Sequence, residues 1–280
     1  MSKRKWLCDK TIVISGASSG IGRGLSKYLI EKYNCNIIGI GRNEDKMKSL
    51  LAELGDKCEK FSYQLFDVSK KENWENFHSY IEENNIIIDV LINNAGVLPA
   101  FDKFENQSIE KLESTMEINF YSYVYSYSIL LDNIKKSNTP AVINICSSDA
   151  LCPLIGTAIY SSTKSAIKAF TECVREENRG KIYISNICPG FTKTDIFRDM
   201  TQKPSRLINL VSMKSDKMVK KIAKAIIKKK GRKVIGFDAK LMDIMYRIFP
   251  RTSQRFFKWI FKISKVNLFD NVFDRNNKGN

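Results

Sequence analysis

The segment Gly16-Ala-Ser18-Ser19-Gly20-Ile21-Gly22 follows a short apolar run, Thr11 to Ser15, and leads into a helical pattern that lasts to about Tyr33. A strand that turns through glycines directly into a helix leaves few folds open. Glycines allow the tight turn and let the backbone approach a pyrophosphate, while the helix N-terminus offers unpaired N–H groups and the positive end of its dipole. A plain tight connection with no ligand would use the same residues, so the rest of the chain must decide. Apolar runs at 36–40, 61–66, 86–92, 141–146, 181–187 and 233–237 read as strands. Helical patterns separate them, near 45–54, 71–83, 109–134, 159–177 and 218–230. Such alternation predicts a Rossmann-like, doubly wound parallel sheet of about seven strands with helices on both faces, because parallel neighbours need crossover helices. The expected organisation is one NAD(P)-binding catalytic domain over residues 1–237 and a basic amphipathic helical tail over 238–280.

The same turn also satisfies G-x-S-x-G at Gly16, Ser18 and Gly20, the nucleophile elbow of α/β-hydrolases. That chemistry needs a histidine late in the chain, after the acid. The single histidine, His78, lies early, in a polar helical pattern beside Trp74 and Phe77. The hydrolase reading fails. Seven scattered cysteines without a C-x-x-C pair, together with one histidine, leave no basis for a metal site or a disulfide framework.

Further blocks appear in order along the chain. Asp67-Val68 follows the third strand, Asn93-Asn94-Ala95-Gly96 the fourth, and Asn119 lies in the next helix. Ser147, Tyr160-Ser-Ser-Thr-Lys164, Pro189-Gly190 and Thr194 come after them. With the glycine turn, whose Ser15 stands where the family pattern has Thr, these blocks resemble the short-chain dehydrogenase/reductase family over residues 10 to 237. The resemblance implies an oxidoreductase acting on CH–OH and C=O groups, and a homo-oligomer. It implies cofactor contacts from Gly16, Ser18, Ser19, Gly20, Ile21 and Gly22, with Asp67 and Val68 at the adenine and Asn93 on the adenosine side. Ala95, Gly96, Tyr160, Lys164, Pro189, Gly190 and Thr192 complete that set, with Thr194 on the nicotinamide carboxamide. Asn119, Ser147, Tyr160 and Lys164 are the implied catalytic residues. Lys164 would grip the nicotinamide ribose and Asn119 would hold a water linking Lys164 to solvent.

The residues support that chemistry independently. Reducing a carbonyl needs a proton donor at the oxygen. Tyr160 has an ordinary pKa of about 10, too high for exchange near neutrality, so the site is expected to lower it. Lys164, four residues on in a helix, shares its face and supplies a positive charge. Tyr121, Tyr123, Tyr125 and Tyr127 have no lysine at that spacing and read as packing aromatics. Ser147, at the end of a strand and thirteen residues before Tyr160, is preferred over Ser148 for holding the substrate oxygen. Cys146 and Cys152, with no histidine nearby, read as small buried hydrophobes. Strand two ends Gly41-Arg42 with no carboxylate to hold ribose hydroxyls, so Arg42 is assigned to a 2′-phosphate: NADP(H) is preferred, with NAD(H) the alternative. The rival for Arg42 is an ion pair with Glu44 or Asp45.

Charge is concentrated at one end. Of a net +16, residues from Lys214 onward carry 19 basic and 5 acidic residues, a balance of +14. In 253–266, Phe256, Phe257, Ile260, Phe261 and Ile263 share one helical side, while Arg255, Lys258, Lys262 and Lys265 take the other. That pattern fits a helix lying in a membrane interface, and packing on the body or on a second subunit is its rival. The basic excess sits from Lys214 onward and the main body lacks aromatic residues interleaved with basic ones, so no nucleic-acid role is expected. Substrate selection is assigned to 151–159 and 191–213, and the expected substrate is a hydrophobic ketone, aldehyde or alcohol. No apolar run is long enough to span a bilayer, and the Met1-Ser-Lys-Arg-Lys-Trp6 start has no apolar core. The expected location is therefore cytoplasmic, or peripheral on the inner face of a membrane. The competing class is a non-catalytic dinucleotide-binding sensor or membrane adaptor, which would need no proton relay.

Overall fold

The computed structural model describes residues 5–193, 212–264 and 266–275. Nine strands run in chain order: β1 (Thr11–Ser15), β2 (Asn36–Gly41), β3 (Phe61–Leu65), β4 (Val90–Asn93), β5 (Ala141–Ile145), β6 (Tyr183–Pro189), β7 (Thr192–Lys193), β8 (Met213–Lys214) and β9 (Arg232–Ile235). Helices are α1 (Gly20–Tyr33), α2 (Glu44–Leu54), α3 (Lys71–Glu83), α4 (Ile109–Met116), α5 (Ser122–Lys135), α6 (Ala158–Glu177), α7 (Ser215–Ile227), α8 (Phe237–Ile248) and α9 (Pro250–Ile263). Seven strands form one parallel sheet in the order β3-β2-β1-β4-β5-β6-β9. The chain reverses direction across the sheet between β1 and β4, and ligands of such sheets bind outside the carboxyl ends of the strands at that switch. β7 and β8 form a separate two-residue pair.

Alternation along each strand divides the core. Ile12 and Ile14 face α1, α2 and α7 through Leu25, Leu29, Met47, Leu50, Ile222 and Ile226. Val13, with Leu91 and Val142, faces α3, α5 and α6 through Trp74, Phe77, Leu130 and Val174. Both faces are buried, which is why the strands read as continuous apolar runs.

Three elements depart from expectation. The strand expected over 86–92 begins only at Val90, because the Asn133 side chain takes the place of a neighbouring strand. Its oxygen accepts from Ile88 N at 2.9 Å and its amide donates to Ile86 O at 2.9 Å. The helix expected over 109–134 is interrupted by a π-helical turn, Glu117–Tyr121, that contains Asn119. Such turns concentrate at functional sites. The C-terminal helices form where expected, with Pro250 in the first turn of α9, but the apolar side assigned to lipid is partly taken. Phe257 and Phe261 are buried in a third cluster with Phe101, Cys152 and Leu154 of the body. Phe101, Phe269 and Phe261 stack in sequence, with centroids 4.9 and 4.3 Å apart. What remains in solvent is Phe237, Leu241, Ile244 and Ile248 along α8, then Phe249, Trp259 and Ile263. Among the described residues, no helix is long and apolar enough to cross a membrane.

Candidate active site

The cleft lies outside the carboxyl ends of β1, β4, β5 and β6. Its nucleotide end is built by backbone. Gly16 has φ +69°, and its N–H donates to Ile40 O at 2.8 Å, folding the turn back on β2. A Cβ at Gly22 would be driven into the Gly16 carbonyl oxygen, so this position has no room for a side chain. Ser19, the residue before α1, makes no side-chain cap bond, which leaves the first-turn N–H groups facing the cleft. Asn94 braces the turn: its amide donates to Ser15 O at 3.0 Å and Gly16 O at 3.3 Å, while Ser15 Oγ accepts from Asn94 N and Ala95 N. Sequence reasoning missed both residues as braces, although both lie inside the motifs.

Arg42, just past β2, is 65% exposed, and its guanidinium stands 3.7 Å from the Asp67 carboxylate rather than pairing with Glu44 or Asp45. Partial burial works against ionisation of Asp67. The Ser69 N–H and hydroxyl, with the charges of Arg42 and Lys70, outweigh it and hold the carboxyl below its usual range. Val68 is buried, and its carbonyl accepts from Trp74 Nε1 at 2.9 Å. Asn93 departs from expectation. Its side chain is turned into the sheet, donating to Asn144 Oδ1 at 3.0 Å and accepting from Ser126 Oγ at 2.8 Å. Its side-chain amide joins β4 to β5 and α5.

Tyr160 and Lys164 both lie on α6, one turn apart, with the Lys164 ammonium 5.6 Å from the Tyr160 ring centroid and 5.4 Å from that of Tyr123. Ser147, following β5, lines the same cleft with Gly96 and Ala95. A Cβ at Gly96 would meet Asn119 Oδ1 at 3.2 Å and Lys164 Nζ at 3.3 Å, which places those two groups side by side. Asn119 does not offer its side chain to water. Its oxygen accepts from Val97 N at 2.7 Å, and its amide donates to Val97 O at 2.9 Å and Thr163 Oγ1 at 3.2 Å.

The expected lowering of the Tyr160 pKa is reversed. Burial pushes the phenol well above its usual value, the nearby Asp149 charge pushes the same way, and hydrogen bonding with Ser147 opposes them. Burial also lowers the Lys164 ammonium, and the charges of Cys146, Asp149 and Cys188 oppose that shift. A buried phenol of this kind keeps its proton, the state a proton donor requires. Asp149, two residues after Ser147, was not anticipated. It is only 7% exposed, and burial raises its carboxyl to about 6.

The far end of the cleft is apolar. Leu98, Phe101 and Phe191 line it, and all three belong to or pack against the cluster held by the C-terminal helices. Pro189 ends β6 and Gly190 follows it. A Cβ on Gly190 would collide with the Asp238 carboxylate, which accepts from Phe191 N at 2.6 Å. Thr192 is buried, and its hydroxyl donates to Gly190 O at 2.9 Å. Thr194 and most of the loop assigned to substrate lie outside the described residues. Among the described residues, no cluster of His, Cys, Asp or Glu could hold a metal ion.

Several known proteins are similar to this chain. An 11-beta-hydroxysteroid dehydrogenase-like 2 of Arabidopsis thaliana is 31% identical over 264 residues, covering 92% of this chain and 77% of that protein. A benzil reductase, (S)-benzoin forming, of Bacillus cereus is 31% identical over 191 residues, covering 66% of this chain and 76% of its own. A short chain dehydrogenase of Shigella flexneri solved with NADP superposes with a TM-score of 0.73 at 20% identity, over 83% of this chain and 98% of that one. Residues 10–205 match the short chain dehydrogenase family. With more than half of the chain matching that family, and a relative 31% identical over nearly the whole of it, this chain belongs to the short chain dehydrogenase family.

Proposed function

We propose that this oxidoreductase is an NADPH-dependent reductase of hydrophobic ketones or aldehydes, reversible as an alcohol dehydrogenase, with Tyr160 as proton donor. The observation that carries the reading is the buried Tyr160 phenol beside Ser147 and Lys164, between a backbone-built nucleotide cradle and an apolar pocket. The cradle suits a dinucleotide because Gly16 and Gly22 leave backbone where side chains would block a diphosphate. Arg42, exposed at the end of β2, is the group for a 2′-phosphate. The Shigella neighbour was solved with NADP, and the similar Bacillus protein reduces benzil, an apolar diketone. The cofactor supplies hydride when bound. Ser147 holds the carbonyl oxygen, Tyr160 gives it a proton, and Lys164 stabilises the charge left on the phenol and binds ribose hydroxyls. Asn119 acts as a brace that ties the π-turn to Val97 and Thr163 beside Lys164. The apolar wall of Leu98, Phe101 and Phe191 supports a hydrophobic substrate. Benzil, long-chain aldehydes and steroidal ketones, assayed at 340 nm with NADPH and then NADH, test the reading. Turnover with NADPH on bulky apolar carbonyls is expected, and a preference for small polar ones or for NADH would overturn it.

We also propose that the C-terminal helices touch an anionic membrane surface from the cytoplasmic side. The exposed stripe on α8, together with Phe249, Trp259 and Ile263, supports this, as does the +14 balance of the surrounding chain. Each basic residue near such a surface is worth about 1 kcal/mol. A second copy would bring like charge to the same face, which favours lipid as the occupant. Replacing Ile244, Ile248 and Trp259 by Glu should abolish sedimentation with phosphatidylserine vesicles. Unchanged partition would refute the proposal. By family resemblance the enzyme is a homo-oligomer, which sedimentation velocity would check.

A further inference from the structure

Asp149 is a buried carboxylate facing the reaction cleft that the chemistry above leaves unused. It sits in the 3-10 turn Ser148–Ala150, directly after Ser147 and under the first turn of α6. Two elements aim hydroxyls at it. Ser147 Oγ donates to Asp149 Oδ2 at 3.0 Å, and Thr157 Oγ1 donates to Asp149 Oδ1 at 3.2 Å. Ser161, one turn further along α6, shares a 2.8 Å hydrogen bond with Thr157. Ser147, Thr157 and Ser161 are all buried.

A serine hydroxyl has one hydrogen and two acceptor positions. Asp149 N donates to Ser147 Oγ at 3.2 Å, so one acceptor position is filled by backbone. When Asp149 is ionised, the single Ser147 hydrogen is held by the carboxylate. The other acceptor position then remains on the side of Ser147 that lines the cleft with Tyr160. In that state Ser147 has nothing to donate to a carbonyl oxygen. When Asp149 is protonated, its own O–H can donate to Ser147 Oγ, and the Ser147 hydrogen turns to the cleft.

We propose that Asp149 is a positioning residue that sets the direction of the Ser147 hydroxyl, withholding its hydrogen from the substrate oxygen when ionised and releasing it when protonated. The inference deepens the carbonyl-reductase reading and rests on it. No bond is made or broken beyond the transfer of one proton between solvent and Asp149. The ionisable neighbours of Asp149 are Tyr160 and Lys164 on α6 and Cys152 in the following turn, all of which sense its charge. β6 and α8 meet this segment through the Cys188 thiol, Ala239 and Met242, none of them charged. Burial, with no cation hydrogen-bonded to the carboxylate, places the titration at about 6, inside the working range of an enzyme.

The test is the pH profile of kcat/KM for NADPH-driven reduction of a bulky ketone between pH 5.5 and 8. A single group releasing its proton predicts a fall of about fivefold over the first pH unit above its midpoint. Asp149→Asn keeps the volume and can donate its amide to Ser147 Oγ, so it should hold the low-pH activity flat across the range. Thr157→Val removes one donor to the carboxylate and favours its protonated form, so the limb should move up by about half a pH unit. A limb that persists unchanged in D149N, or that stays in place in T157V, overturns the inference. Infrared difference spectra of the full chain give a readout free of turnover. A protonated carboxyl band that disappears as pH rises through about 6, and is missing in D149N, is expected, and its absence in the wild type would refute the proposal. If no carbonyl is reduced by any form while this band titrates, the reductase reading has failed and the carboxyl–serine coupling has not.

Discussion

The two ends of the cleft are built from different materials. The nucleotide end is backbone: Gly16 at positive φ, Gly22 with no room for a Cβ, and strand ends braced by Asn94. The end proposed for substrate is side chain: Phe101 stacked on Phe269, Phe269 on Phe261, with Leu98 and Phe191 beside them. Backbone geometry of this kind is written in local sequence, since only glycine tolerates it. A wall of aromatic rings from residues far apart in the chain is not local at all.

The largest expected effect lies where the two ends meet. Tyr160→Phe keeps the ring and removes the proton donor, and should lower kcat/KM at least about a thousandfold while NADPH binding by fluorescence is retained. Loss of binding together with turnover would mean that the phenol serves the cradle instead. Next is Gly22→Ala, which forces a methyl group against the Gly16 carbonyl. It should weaken NADPH binding about a hundredfold, measured by titration, whatever the carbonyl. Phe269→Ala opens a cavity in the aromatic wall and should cost about 3 kcal/mol of stability in urea unfolding. It should raise KM for bulky ketones and leave the affinity for NADPH within about twofold. An equal change in nucleotide affinity would erase the division between the ends. The smallest effect is expected from Arg42→Ala, which should cut the NADPH-over-NADH preference about tenfold and leave turnover with NADH unchanged.

Legibility followed the same division. The glycine turn, the succession of strands and helices and the Tyr160–Lys164 spacing could be read because each depends on neighbours within a few residues. The motif position of Asn93 points to a cofactor, but it does not reveal that burial on both sheet faces hands its side-chain amide to Asn144 and Ser126. The 86–88 run looked like strand, but its backbone partner is the Asn133 side chain, 45 residues away from Ile88. Amphipathicity showed which side of α9 is apolar. It could not show that Phe257 and Phe261 face the body while Trp259 and Ile263 face water. The Tyr160 shift was misjudged because spacing reveals the lysine but not the depth of burial or the Asp149 carboxylate. Asp149 itself is one letter among thirty acidic residues until Ser147 and Thr157 are seen to converge on it.

Asp238, in the first turn of α8, fastens the Gly190–Phe191 corner through the Phe191 N–H. A protein engineer who trims this chain back to the end of the sheet would therefore unhook the floor of the reaction chamber before losing most of the surplus positive charge. Reporter tags and solubility truncations belong elsewhere. A ligand that grips α8 from outside would have a mechanical route to the bound substrate.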